Sequence, residues 1–150
     1  MMLLDEGNID KYLEIDIYKY SNRTYEIRQL FLIQRIIESL NLEDVTTQKR
    51  ATPVIKPLLY KDSNGKPRIK NWNYRSLAGI LTYLQGTTLP DILMVVHQYA
   101  RFSGSPTLTY KRAIIRIGRY LIKTKDRGLI CKVKKEKGLE YYVDADFAEG

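Results

Sequence analysis

Asp144 and Asp146 stand two residues apart in YYVDADFAEG, the last stretch of the chain. Residues two apart in a strand share a face. Glu140, Tyr142, Asp144 and Asp146 therefore fall on one side, and Leu139, Tyr141, Val143, Ala145 and Phe147 on the other. Carboxylates converging in this way are the oxygen donors that a hard cation such as magnesium takes, and two-metal nucleases clamp phosphoryl oxygens with such sets. A metal site also needs carboxylates from other elements. On spacing alone, acids on a solvated strand face are the plainer reading.

A second pattern is cationic. In TYKRAIIRIGRYLIKTKDRG, Arg112, Arg116, Arg119 and Lys123 follow one another at intervals of four, three and four, which keeps them in one narrow sector of a helix. Tyr110, Ile114, Ile117 and Leu121 fall on the opposite, apolar face. Such a row can follow a phosphate backbone without reading bases, but an amphipathic helix also needs a polar face toward water. No acid interrupts the four positions, as one would on a neutral solvated face. Both readings stand at this level.

Other chemistry is poorly supplied. His97 is the single histidine and lies away from the Ile92, Val96 and Tyr99 stripe, so a partly exposed structural residue is expected rather than a catalytic base. Cys131 is the single cysteine, which excludes an internal disulfide and Cys-based zinc spacings; its place in a strand-like run suggests a small core residue. SNGKP lacks the spacing of a phosphate loop.

The elements that must position these residues can be read in outline. Tyr12, Ile15, Ile17 and Tyr20 alternate with charges, break at Ser21-Asn22-Arg23 and resume at Tyr25 and Ile27, a β-hairpin pattern. Leu30, Ile33, Ile37 and Leu40 mark a helix from Gln29 to about Asn41. Residues 43–70 carry prolines and turn chemistry without periodicity, which reads as a linker or as a strap over a neighbour. Three helical patterns follow: one with Tyr74, Leu77, Ala78, Leu81 and Leu84, stopped by Gly86 with the two threonines after it; one entered through Pro90 and Asp91; and the basic helix. GLICKV and LEYYVDADF, separated by KKEKG, read as a second hairpin. The chain has 150 residues and a net charge of +8, which favours an anionic partner. No stretch resembles a signal peptide or a membrane span, so a soluble intracellular protein is expected.

Five segments together resemble the reverse transcriptase and RNase H region of copia-type retrotransposon polyproteins: MMLLDEGNIDKYLEIDI, NYRSLAGILTYL, TTLPDI, VVHQYARFSGSPTLTYKRAIIRIGRYLIKTKDRGL and GLEYYVDADFAEG, in that order. The resemblance implies an α+β fold: a palm-edge hairpin and helix in 1–42, an extended connection in 43–70, a thumb-like helical bundle in 71–127, and the first strands of an incomplete RNase H-like domain in 128–150. It implies a chain truncated at both ends, because the family's polymerase aspartates lie in a Tyr-Val-Asp-Asp-like hairpin upstream of the first segment. Asp144 matches the first metal-binding aspartate of RNase H, and Asp146 belongs to the same motif. The expected role is binding a primer-template duplex, RNA–DNA hybrid included, through Arg112, Arg116, Arg119 and Lys123, with no catalysis by this chain alone. Magnesium is implied for the intact polyprotein and no cofactor for the fragment. The rest of the Pol polyprotein is the implied protein partner, in a cytoplasmic particle or the nucleus. A stand-alone nucleic-acid-binding module is the alternative. The sequence departs from the family at Glu14, where a glycine is usual, at Leu89, where an arginine is usual, and at Glu149, again a glycine position. Leu89 puts one basic contact of the family in doubt, and the bulk of Glu14 is expected to disturb a tight backbone approach.

Overall fold

The computed structural model describes residues 11–20, 23–44, 48–54, 61–67 and 73–132. Over these residues the protein is α+β. A short strand β1 (Lys11–Tyr12), β2 (Ile15–Lys19) and β3 (Thr24–Arg28) lead into α1 (Leu30–Ser39). After the connection come α2 (Tyr74–Thr87), a 3-10 turn (Pro90–Ile92), α3 (Leu93–Ala100), α4 (Leu108–Thr124) and β4 (Leu129–Lys132).

Each helix forms for local reasons that agree with its packing. Leu32, Ile33, Ile36 and Ile37 line the buried side of α1. Asn41 then takes a left-handed φ of 54°. The N–H of Leu42 donates to the carbonyl of Ile37, and that of Asn41 to Glu38, a Schellman ending in which asparagine replaces the usual glycine. The side chain of Asn73 caps α2 by accepting from the Ser76 N–H at 3.1 Å. α2 ends where Gly86 and the two threonines are expected to stop it, with Thr87 its last residue and Thr88 its C-cap. The helix ends where Thr87 and Thr88 both donate to Oε1 of buried Gln29, at 2.5 and 2.8 Å, which fixes the end of α2 to the start of α1. Leu89, which stands where an arginine is usual, is 5% exposed and belongs to the core.

Among the described residues the core comes from the helices and the segments that join them, with no strand side chain in it. Ile36, Leu84, Ile92, Ile114, Ile117 and Leu121 are fully enclosed, with Leu40 and Leu42 closing one side against Gly118. Each such side chain contributes roughly 1.5–3 kcal/mol by leaving water. Asp91 accepts a hydrogen bond from Tyr120, tying the 3-10 turn to α4. Burial and this carboxylate push the Tyr120 phenol up to about 12.

The four strands form one antiparallel sheet in the order β1-β2-β3-β4. β4 pairs with β3 in the register Glu26 to Ile130 and Ile27 to Leu129, so it extends the N-terminal hairpin's sheet. The partner strand expected for it, 139–147, lies outside the described residues. Cys131, expected in the core, is exposed; among the described residues β4 lies at the edge of the sheet. Between β1 and β2 the structure adds a tight turn that the alternation did not reveal. Tyr12 pairs with Ile15, and Leu13 and Glu14 take φ of 47° and 67°. Two left-handed residues in a two-residue hairpin are the type I′ pattern, which favours asparagine and glycine. The bulk of Glu14 therefore stands where it is least tolerated, and its Oε2 is buried without a partner. Tyr83 on α2 donates to the Leu13 carbonyl at 2.8 Å and holds the turn in place.

Candidate nucleic-acid interface

All four cations of the predicted row lie on α4, on the side away from its buried residues. They are not equally free. Arg112 and Lys123, at the ends, are exposed, whereas Arg116 and Arg119, in the middle, are half-buried. The reason is the segment 48–54, which crosses α4 as a strap. The backbone N–H of Arg50 donates to the carbonyl of Arg119 at 3.2 Å, and Arg116 Nη2 donates to Thr52 Oγ1 at 2.9 Å. Of the two readings open for this connection, the strap is the one found. The strap narrows access to the two central arginines, so the four cations differ in exposure.

The strap also brings cations of its own. Arg50 and Lys49 lie in it, Lys49 exposed and Arg50 half-buried with Nη2 donating to Gln48. The helical row read from spacing does not include them; their signal in the sequence is the acid-free run QKRAT. Among the described residues no carboxylate forms an ion pair with any of the four α4 cations. The Nε atoms of Arg116 and Arg119 are buried and have no acceptor. A buried donor without an acceptor costs about 1–3 kcal/mol, so these two guanidinium groups are poised to gain from an anion that reaches them.

A cleft of about 720 Å³ opens at the start of α4, between the 61–67 turn and the beginning of α2. Lys61, Arg75 and Arg101 line it with one acid, Asp62. That acid is engaged: its Oδ2 accepts from Thr107 Oγ1 at 2.9 Å, while its backbone N–H donates to Tyr110. The positive character of the helical body is thus not confined to one helix face.

Asp144 and Asp146 lie outside the described residues. No group of three or more histidine, cysteine or acidic residues suited to a metal occurs among those described. His97 is exposed on α3, as its position off the apolar stripe predicts. No described helix is long and apolar enough to cross a membrane.

The described residues thus define an α+β protein with a basic helical face roofed in part by a strap. By sequence the chain belongs with the retrotransposon Pol polyproteins, of which it matches one segment. It is 34% identical to the retrovirus-related Pol polyprotein from transposon RE1 of Arabidopsis thaliana, over 79% of this chain and 8% of that protein. It is 30% identical to a transposon Ty5-1 protein of Saccharomyces cerevisiae, over 94% of this chain and 45% of that protein. The Pol polyprotein from transposon RE2 of Arabidopsis thaliana is 31% identical over 73% of this chain. The chain spans less than half the length of each of these relatives. No family model matches it, and no solved structure does.

Proposed function

We propose that this chain is the part of a copia-type Pol polyprotein that joins the thumb of the reverse transcriptase to the start of its RNase H domain, and that it holds the primer-template duplex by its phosphates. The observation that carries the proposal is the α4 face: four cations in one sector, no carboxylate paired with them among the described residues, and two buried guanidinium donors lacking an acceptor. Arg112 and Lys123 make the outer phosphate contacts, and Arg116 and Arg119 act from under the strap. Within this reading the chain binds and the chemistry belongs to the whole polyprotein, where Asp144, with Asp146 beside it, would contribute to a magnesium site. Its partners are an RNA–DNA hybrid or duplex and the rest of Pol, inside the cell.

A second reading, a basic nucleic-acid-binding module that works alone, draws support from a helical core that closes without any side chain of the sheet. Both readings require salt-sensitive binding. Titrating a blunt RNA–DNA hybrid at several salt concentrations tests this. Each phosphate contact contributes about 0.9 to the slope of log affinity against log salt, so Arg112→Gln with Lys123→Gln should lower the slope by about two. A slope near zero in the unmodified chain would remove the phosphate-binding role. Activity restored to a Pol polyprotein lacking this segment, when the segment is supplied, separates the first reading from the second.

A further inference from the structure

The polar face of the sheet is built in more detail than a solvated face requires. The registers place Tyr18 on β2, Glu26 on β3 and Ile130 on β4 in one cross-strand row, with Arg28 and Tyr20 on the same face to either side. Glu26 is only 7% exposed. Its Oε1 accepts from Arg28 Nε and Nη2, each at 2.8 Å, and its Oε2 from the Tyr20 hydroxyl at 2.6 Å. The backbone N–H of Gly128 reaches the same carboxylate. A Cβ on Gly128 would stand 2.6 Å from Glu26 Cγ and 2.8 Å from Arg28 Cγ, so the glycine makes the room in which this cluster forms.

The result is an ordered set of flat surfaces. Arg28 is held in plane by Glu26, which also neutralises its charge, and it lies over the Tyr18 ring at 5.1 Å. The Tyr20 hydroxyl is spent on Glu26, so what Tyr20 offers outward is its ring. Tyr18 and Tyr20 remain 42% and 48% exposed, and Ile130 beside them 67%. Exposed Arg23 and Lys132 stand at the Tyr20 end, where a phosphate chain would find them.

We infer that this face is a stacking platform for the unpaired bases of a single nucleic-acid strand, formed by Tyr18, Tyr20 and the Arg28 guanidinium. Antiparallel sheets with exposed aromatics bind single strands in this way, because every base has a face that stacks and no hydrogen-bond code is needed. The platform deepens the nucleic-acid reading but is separate from α4: one surface follows duplex phosphates, the other takes an unpaired stretch.

The test uses the full chain with two probes, a labelled oligodeoxythymidine strand and a blunt RNA–DNA hybrid, followed by fluorescence anisotropy. Tyr18→Leu with Tyr20→Leu should weaken single-strand binding about tenfold or more and leave hybrid binding within about twofold. Tyr18→Phe with Tyr20→Phe should retain the single-strand affinity within about threefold, because the rings remain. Single-strand binding should also survive added salt better than hybrid binding. Ultraviolet crosslinking of a 5-bromouridine strand to the unmodified chain, mapped by mass spectrometry, should mark the peptide bearing Tyr18 and Tyr20 even if the leucine variant does not fold. Crosslinks confined elsewhere, equal losses on both probes in a folded variant, or hybrid binding without single-strand binding would each overturn the platform. The last of these leaves the α4 reading standing, whereas failure to bind either probe overturns both.

Discussion

Ile36, Ile114, Ile117 and Leu121 in the helical body are completely buried, whereas Ile15, Ile17, Ile27 and Leu129, the apolar face of the sheet, are each only half-buried. The helices interlock around a core that needs nothing from the strands. The sheet is held instead by polar devices: the Glu26 cluster on one face, the Tyr83 bond to the Leu13 carbonyl, and Gln29 at the junction with α1. Burial resists change, while a polar scaffold leaves faces available to partners. The molecule therefore concentrates its stability in the helices and exposes its aromatic surface on the sheet.

Truncation should separate the two regions most strongly. Ile117→Ala should cost about 2–5 kcal/mol, because a fully enclosed side chain leaves a cavity. Ile17→Ala should cost only about 1 kcal/mol, since part of its surface already meets water. Urea unfolding followed by circular dichroism measures both, and equal losses would break the comparison.

Backbone crowding sharpens it next. A Cβ on Gly118 would lie 2.6 Å and 2.7 Å from methyls of Leu40 and Leu42, so Gly118→Ala should destabilise by about 1–3 kcal/mol. Gly79 on the same body has open space around it, and Gly79→Ala should stabilise by about 0.5–1 kcal/mol through helix entropy alone. Opposite signs in the unfolding midpoints are the expected result.

In the sheet, Glu14→Gly should raise stability by about 1 kcal/mol, because it removes a side chain from a left-handed turn position along with its orphaned carboxylate oxygen. No gain in the thermal midpoint would mean that the turn pays no strain for Glu14.

The smallest effects are on pH. Hydrogen bonds from Arg28 and Tyr20 hold the Glu26 carboxyl below its ordinary 4.5. Its contribution is therefore present above that value and is lost as pH falls through the depressed one. The Tyr120 phenol, raised to about 12 chiefly by burial, contributes below pH 10 and loses that contribution as pH climbs toward 12. NMR titration should thus show acid loosening begin in the sheet and alkaline loosening at α4; the reverse order would contradict the assignment.

Much of the helical body was legible in the residues alone. The stripe Tyr110, Ile114, Ile117 and Leu121 is buried as its spacing predicts, and so are Leu77, Leu81 and Leu84, because a period near 3.6 is a local property of the chain. The order of elements and the basic sector of α4 were equally a matter of residue type and spacing, while the relation to Pol polyproteins lay in the resemblance of whole segments in colinear order. What spacing does not encode is which distant segments meet. Only the fold laid residues 48–54 over Arg116 and Arg119, paired β4 with β3 so that Ile130 stands beside Glu26, left Cys131 at an outer strand, and turned Leu13 and Glu14 into a type I′ bend. Strand pairing and strap docking join residues far apart in the chain, and a local period, which says which face a side chain takes, does not say which distant segment that face will meet.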